Sequence, residues 1–166
     1  MKIYYVHHAL RDRGNPPTQD DNITELGIQD AKLSGEIILD HIRKRNTNVV
    51  AIFTAPEFRH METSRLVNES LRTKIIQDRR LSEMRCNDKN ETWIDVQTRV
   101  RQAIKDVVMK YDDEDVCAVM VTSGVNIAAF MSVAYGLAPS NETPFLWVHS
   151  CSQIGFDINK RHFLGE

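Results

Sequence analysis

The sequence predicts an α/β fold, a three-layer α/β/α sandwich around a mostly parallel sheet, and three observations carry that prediction. Short apolar runs of strand character alternate along the chain with longer segments of helical periodicity. Each run ends abruptly in polar residues or a proline, as strands do where they leave a covered sheet. The length of 166 residues and the 42% hydrophobic content suit one domain, residues 1–166, with an ordinary core.

The first strand is residues 2–6, β-branched and aromatic, and His7-His8 ends it. Arg11 to Asn22 contains Gly14, Pro16 and Pro17 and reads as an irregular surface excursion. Thr24 is an N-cap for a helix to about Arg45, whose inward face is read as Leu26, Ala31, Leu33, Ile37, Ile38 and Ile42. Val49 to Phe53 is a strand covered on both faces. Thr54-Ala55-Pro56 breaks it, and a helix follows from about Glu57 to Leu71 with Pro56 in its first turn. Residues 73–90 read as polar and irregular. A third helix spans about Thr92 to Tyr111, with Ile94, Val100, Ile104 and Val107 or Val108 inward. An acidic turn, Asp112 to Asp115, leads into the strand Val116 to Val121. Ser123-Gly124 opens a helix to about Leu137, Pro139 to Pro144 is a loop, and Phe145 to His149 and Gln153 to Ile158 read as closing strands, paired as a hairpin.

Charge excludes some partners. The net charge of -2 offers no field to attract nucleic acid or an anionic membrane, and no apolar run approaches the ~20 residues of a bilayer span. The basic clusters at His41–Arg45 and Arg79-Arg80 read as helix ends or solvated turns. The N-terminal run is too short for a signal peptide, and three cysteines without a C-x-x-C pair imply free, mostly buried thiols. A cytoplasmic location is expected.

In open α/β sheets ligands gather outside the carboxyl ends of the strands. The residues there are His7 and His8 after the first strand, Arg59 in the first turn of the second helix, and Thr122 and Ser123 at another helix start. Helix N-termini with arginine and imidazole beside them favour a phosphate or carboxylate. The alternatives are structural: Ser123 as a plain N-cap, Arg59 as a surface residue, His8 as a loop histidine. A metal pair of His7 and His8 is disfavoured, because neighbours on an extended strand point to opposite sides and no further ligands follow at a fitting spacing. The pattern asks for no metal and no cofactor. Trp93 and Trp147 read as packing residues, and His149 and His162 as without chemistry.

Three segments carry a family resemblance: Tyr5-Val6-His7-His8-Ala9, Ile23-Thr24-Glu25-Leu26-Gly27 through Ala31, and Phe53-Thr54-Ala55-Pro56 through Arg59 and Thr63. Leu81-Ser82-Glu83 and Val119 through Ile127 follow in order. The chain resembles the histidine phosphatase, or phosphoglycerate mutase-like, superfamily along nearly its whole length. The resemblance implies His8 as a nucleophile that carries the phosphoryl group, Arg59 as a phosphate clamp, and Glu83 as the proton donor.

The chain also departs from the family pattern. His7 stands where the family has an arginine, Ala9 where it has a glycine, Ser123 where it has a second histidine, and Glu62 where it has a glutamine. Losing one charge stabiliser costs on the order of 100- to 1000-fold in rate. The expectation is therefore a phosphoryl-binding protein whose partner is a phosphorylated small molecule or inorganic anion, held by His7, Arg59 and Ser123, with weak or absent turnover. The alternative is an active phosphomonoesterase.

Overall fold

The structure is a computed structural model that describes residues 1–12, 22–86, 88–111, 115–137, 140 and 149–158. Five strands form one sheet: β1 (Lys2–His7), β2 (Asn48–Thr54), β3 (Ile75–Gln77), β4 (Val116–Thr122) and β5 (Gln153–Asp157), in the order β3-β2-β4-β1-β5. The pairings β1–β4, β2–β4 and β2–β3 are parallel, and β5 closes the edge antiparallel to β1. The expected closing hairpin is not tested, because residues 141–148 lie outside the described residues. So do Trp147, His162, most of the 11–22 excursion and residues 112–114.

Strand periodicity sorts the central side chains to two faces. Tyr4, Val6, Ile52, Val119 and Val121 pack under α1 (Glu25–Arg45) and α2 (Phe58–Leu71) through Ile38, Ile42 and Val67. Ile3, Tyr5, Phe53, Ala118 and Met120 pack under α3 (Trp93–Lys110) and α4 (Gly124–Ala134) through Val100, Ile104, Ile127 and Phe130. That is the predicted three-layer sandwich. Cys117 and Cys151 are buried and Cys86 is half-buried, all three with free thiols. Among the described residues no helix is long and apolar enough to cross a membrane.

Several local expectations are corrected. In α1, Leu26, Leu33 and Ile37 are exposed, because the helix packs through small residues. A Cβ on Gly35 would sit 2.5 Å from the Val67 carbonyl oxygen, so only glycine allows α1 this close to α2. Ile94 is also exposed, and Val96 takes the inward place at the start of α3. Pro56 precedes α2 and its N-cap Glu57 rather than lying in the first turn. The stretch read as irregular after residue 73 holds β3 and a 3-10 turn, Arg79–Leu81. α4 ends at Ala134, three residues short of Leu137.

Candidate active site

The segments leaving β1, β2 and β4 are stitched together by main-chain hydrogen bonds. The His8 N–H donates to the Thr122 carbonyl at 3.0 Å, and the Ala55 N–H to the Val121 carbonyl at 3.3 Å. The Ala9 N–H donates to Thr63 Oγ1 at 2.9 Å, and that hydroxyl donates to the Arg59 carbonyl at 2.6 Å. The next carbonyl, Leu10, accepts from the N–H and the hydroxyl of Thr24 at 3.0 and 3.2 Å. A Cβ on Gly27 would lie 2.5 Å from that same oxygen. Thr24, Gly27 and Thr63 thus clamp the loop that presents His8. Ala9 has no left-handed φ and packs its methyl among Ala31, Leu66 and Cys151, so alanine fits the family's glycine position without strain.

His8 is buried, and its Nδ1 lies 2.9 Å from the carbonyl oxygen of Ala9. A carbonyl can only accept, so Nδ1 carries the hydrogen and Nε2 keeps its lone pair in the neutral ring. Burial, then the neighbouring His60 and His7, push the His8 pKa down to about 2, against the opposing pull of the Ala9 carbonyl. His8 is therefore neutral at ordinary pH. His7 does not point away from it. The two ring centroids are 4.4 Å apart, because β1 ends at His7 and strand alternation ends with it. Among the described residues no group of three His, Cys, Asp or Glu side chains could hold a metal ion.

Arg59 is fully buried, and its guanidinium forms an ion pair with Glu83, whose side chain is 34% exposed. Glu83 is therefore bound to the candidate clamp. Its segment is fixed from β4 and α4: Thr122 Oγ1 donates to the Leu81 carbonyl at 2.6 Å, and Asn126 Nδ2 donates to the Leu81 and Ser82 carbonyls at 2.6 and 2.8 Å. Ser123 is buried and caps α4, with the Asn126 N–H at a long 3.5 Å from its hydroxyl. Glu62 pairs with Arg65 along the outside of α2, Trp93 packs against the core, and His149 is exposed.

One buried histidine was not foreseen. His60 is fully buried, its ring stands edge-on to His8 with centroids 4.9 Å apart, and Glu57 Oε2 lies 3.1 Å from its Nδ1. Burial lowers the His60 pKa against the pull of Glu57. Burial would raise the Glu57 pKa, but the His60 hydrogen bond and charge outweigh it and hold the carboxyl below the usual range. The acid at 57 with histidine at 60 is a helical i,i+3 pair, a signal the sequence did carry. Beside them, burial raises the Cys86 thiol to about 11, so it stays protonated.

A clamped strand-end loop, a neutral buried histidine and a buried arginine within a three-layer sandwich define the phosphoglycerate mutase-like class of α/β fold. Solved structures share it. YhfR of Bacillus stearothermophilus is 22% identical, with a TM-score of 0.75 over 95% of this chain and 91% of that one. A mycobacterial glucosyl-3-phosphoglycerate phosphatase in complex with VO3 is 18% identical, with a TM-score of 0.72 over 93% and 90%. The protein histidine phosphatase SixA complexed with tungstate is 10% identical, with a TM-score of 0.71 over 98% and 91%. No curated protein sequence matches the chain. Residues 85–164 match the family profile of the histidine phosphatase superfamily (branch 1), a span that includes Ser123 but not His8, Arg59 or Glu83. With the fold, that match makes the chain similar to the histidine phosphatase superfamily over residues 85–164.

Proposed function

We propose that the chain binds the phosphoryl group of a phosphorylated small molecule, or inorganic phosphate, beside His8, and hydrolyses phosphomonoesters slowly through a phosphohistidine. The observation that carries this reading is the Nδ1–H of His8 held on the Ala9 carbonyl, which leaves Nε2 as a fixed nucleophile. In the first step Nε2 forms a bond to phosphorus, the ester P–O bond breaks, and the leaving oxygen takes a proton. In the second, water forms the new P–O bond, the N–P bond breaks, and the water proton passes to the group that gave one up. Arg59 holds nonbridging oxygens, with His7 and Ser123 as further contacts.

Glu83 is the proton donor in this reading. In the ion pair with Arg59 it is an acceptor, so it serves as an acid only once the phosphoryl group has taken over the Arg59 N–H groups. Slow turnover follows from one arginine doing the work of a larger cationic clamp, since each missing stabiliser costs on the order of 100- to 1000-fold, though not additively. Anion-bound relatives of the same fold support the ligand class: one structure is a complex with VO3 and another with tungstate.

The test is hydrolysis of a generic aryl phosphate by the wild type and by His8→Ala. The variant should lose the rate, and equal rates would remove the catalytic part of the reading. Millimolar sulfate or phosphate should also raise the melting temperature of the wild type through ligand linkage.

A further inference from the structure

We infer that the buried Glu57–His60 pair is the proton-loading element of the site: His60 takes up a proton when a dianion enters beside His8 and so supplies the second positive charge. The inference rests on the pocket reading above. It starts from placement. His60 has no exposed surface, and its ring meets that of His8 edge-on at 4.9 Å. One ring nitrogen, Nδ1, is 3.1 Å from Glu57. The other, Nε2, is buried with no hydrogen-bond partner among the described residues, and Nδ1 meets Glu57 Oε2 at ion-pair distance without well-aligned hydrogen-bond geometry. An unpartnered buried nitrogen costs on the order of 1–3 kcal/mol, and one on a ring that meets His8 calls for a role there.

Charge counting leads to the same residue. The charged and titratable groups that act on His8 are His7 from β1 and Arg59 and His60 from α2; Glu57, Glu83 and Cys86 adjoin His60 and Arg59 in turn, and among the described residues the end of β4 and the start of α4 bring the neutral Thr122, Ser123 and Asn126. With His8 and His60 neutral, Arg59 is the one permanent positive charge that the described residues place here, beside the carboxylates of Glu83, its ion-pair partner, and Glu57, which meets His60. Such a site repels a dianion. It must gain a proton or lose a carboxylate to bind one. His60 is the imidazole already paired with a carboxylate, so its positive form has a counter-ion waiting. The helix starts of α2 and α4 add partial positive charge to the same crevice.

Burial by itself keeps His60 neutral, and a dianion a few ångströms away reverses that balance. The proton comes from solvent, so binding couples to uptake of a proton. His60 then stands in for the histidine absent at Ser123, from a different helix.

Sulfate is the probe, because it stays a dianion across about pH 5.5 to 8.5 while histidine titrates. In the wild type its Kd should rise about tenfold per pH unit on the alkaline side, the signature of one proton taken up. Calorimetry in two buffers of different ionisation enthalpy counts the same proton directly. His60→Gln should bind sulfate weakly at every pH with no such slope, whereas His7→Gln should keep the slope. Glu57→Gln should move the slope to lower pH, since the carboxylate that favours imidazolium is gone. A slope unchanged in His60→Gln, or a wild type that binds sulfate with no proton uptake, would overturn the inference and leave the pocket standing. No sulfate binding at any pH would instead overturn the pocket reading itself. Should His60→Gln fail to fold, Glu57→Gln decides, because an unshifted slope there is equally fatal.

Discussion

Two helices begin at the same crevice, and they are built on opposite principles. At the start of α2, Glu57, Arg59 and His60 place three ionisable side chains within one turn, and no side chain caps the helix. At the start of α4, Ser123 caps the helix, and Thr122 and Asn126 give their hydrogen bonds to the segment that carries Glu83. One wall is charged and costly to bury; the other is neutral, with the Asn126 amide donor fully used in holding the neighbouring segment. The difference teaches that chemistry and shape are divided between the two walls. Anion binding should fail when the α2 wall is changed, and stability should fail when the α4 wall is changed.

The largest break in that comparison should come from Arg59→Met. Removing a buried guanidinium deletes the one permanent cation that the described residues place beside His8, and sulfate affinity should fall about 100-fold. Stability should fall by only about 2 kcal/mol, because Glu83, with its side chain 34% exposed, can turn to water once its partner is gone. Titration calorimetry and urea melts read the two effects. Unchanged sulfate affinity would mean that the anion does not sit on the α2 wall.

Acid should expose the same wall without mutation. His8 is pushed down to about 2 and His60 is lowered as well, both chiefly by burial, so the unfolded chain binds protons that the folded chain refuses. Stability from these groups is present above the unfolded histidine value of about 6.5 and is lost as pH falls below it. His8 alone should cost about 1.4 kcal/mol by pH 5.5, with His60 adding up to as much again. Glu57 acts in the same direction at lower pH, since its depressed value makes its contribution vanish as the carboxylate protonates. Urea midpoints should drop between pH 7.5 and 5.5, the drop should shrink in His60→Gln, and added sulfate should oppose it. A flat stability curve across that range would mean that the histidines are solvated.

How much of this was legible depends on the distance over which each residue works. Thr24 was readable because a cap is a local demand with fixed spacing, whereas Gly27 and Thr63 entered only as residues that carry the family resemblance. His8 and Arg59 were readable because strand ends and first helical turns can be located from the sequence pattern. Glu83 could be named, but its ion pair with Arg59 could not, since the segment between them hides β3 and a 3-10 turn under polar composition. His60 was missed because the face it presents depends on how α2 crosses the end of β1. Leu26, Leu33 and Ile37 were misplaced for a related reason: the helix that looked amphipathic through large residues packs through small ones.

On the neutral wall, Asn126→Leu should cost about 2–3 kcal/mol. It removes the donor that holds both the Leu81 and Ser82 carbonyls and leaves buried oxygens to be satisfied elsewhere. Sulfate affinity should change by less than about threefold, because Arg59 and His60 are not held by this residue. A large affinity loss at intact stability would erase the division between the walls.

The smallest effect on stability should come from Ser123→Ala, and it sharpens the comparison most. The hydroxyl caps α4 through a 3.5 Å contact, longer than a good cap, so alanine should cost no more than about 1 kcal/mol. If the serine is only a cap, sulfate affinity and the rate on an aryl phosphate stay within about twofold of wild type. If it also reaches the anion, both fall by about tenfold, as expected for loss of one neutral hydrogen bond in a desolvated site. The two effects separate cleanly, since a cap is read by urea melts and an anion contact by titration. A tenfold loss would put a third donor on the α4 wall, and the positive charge at the phosphoryl group would still have to come from Arg59 and His60, because serine brings none.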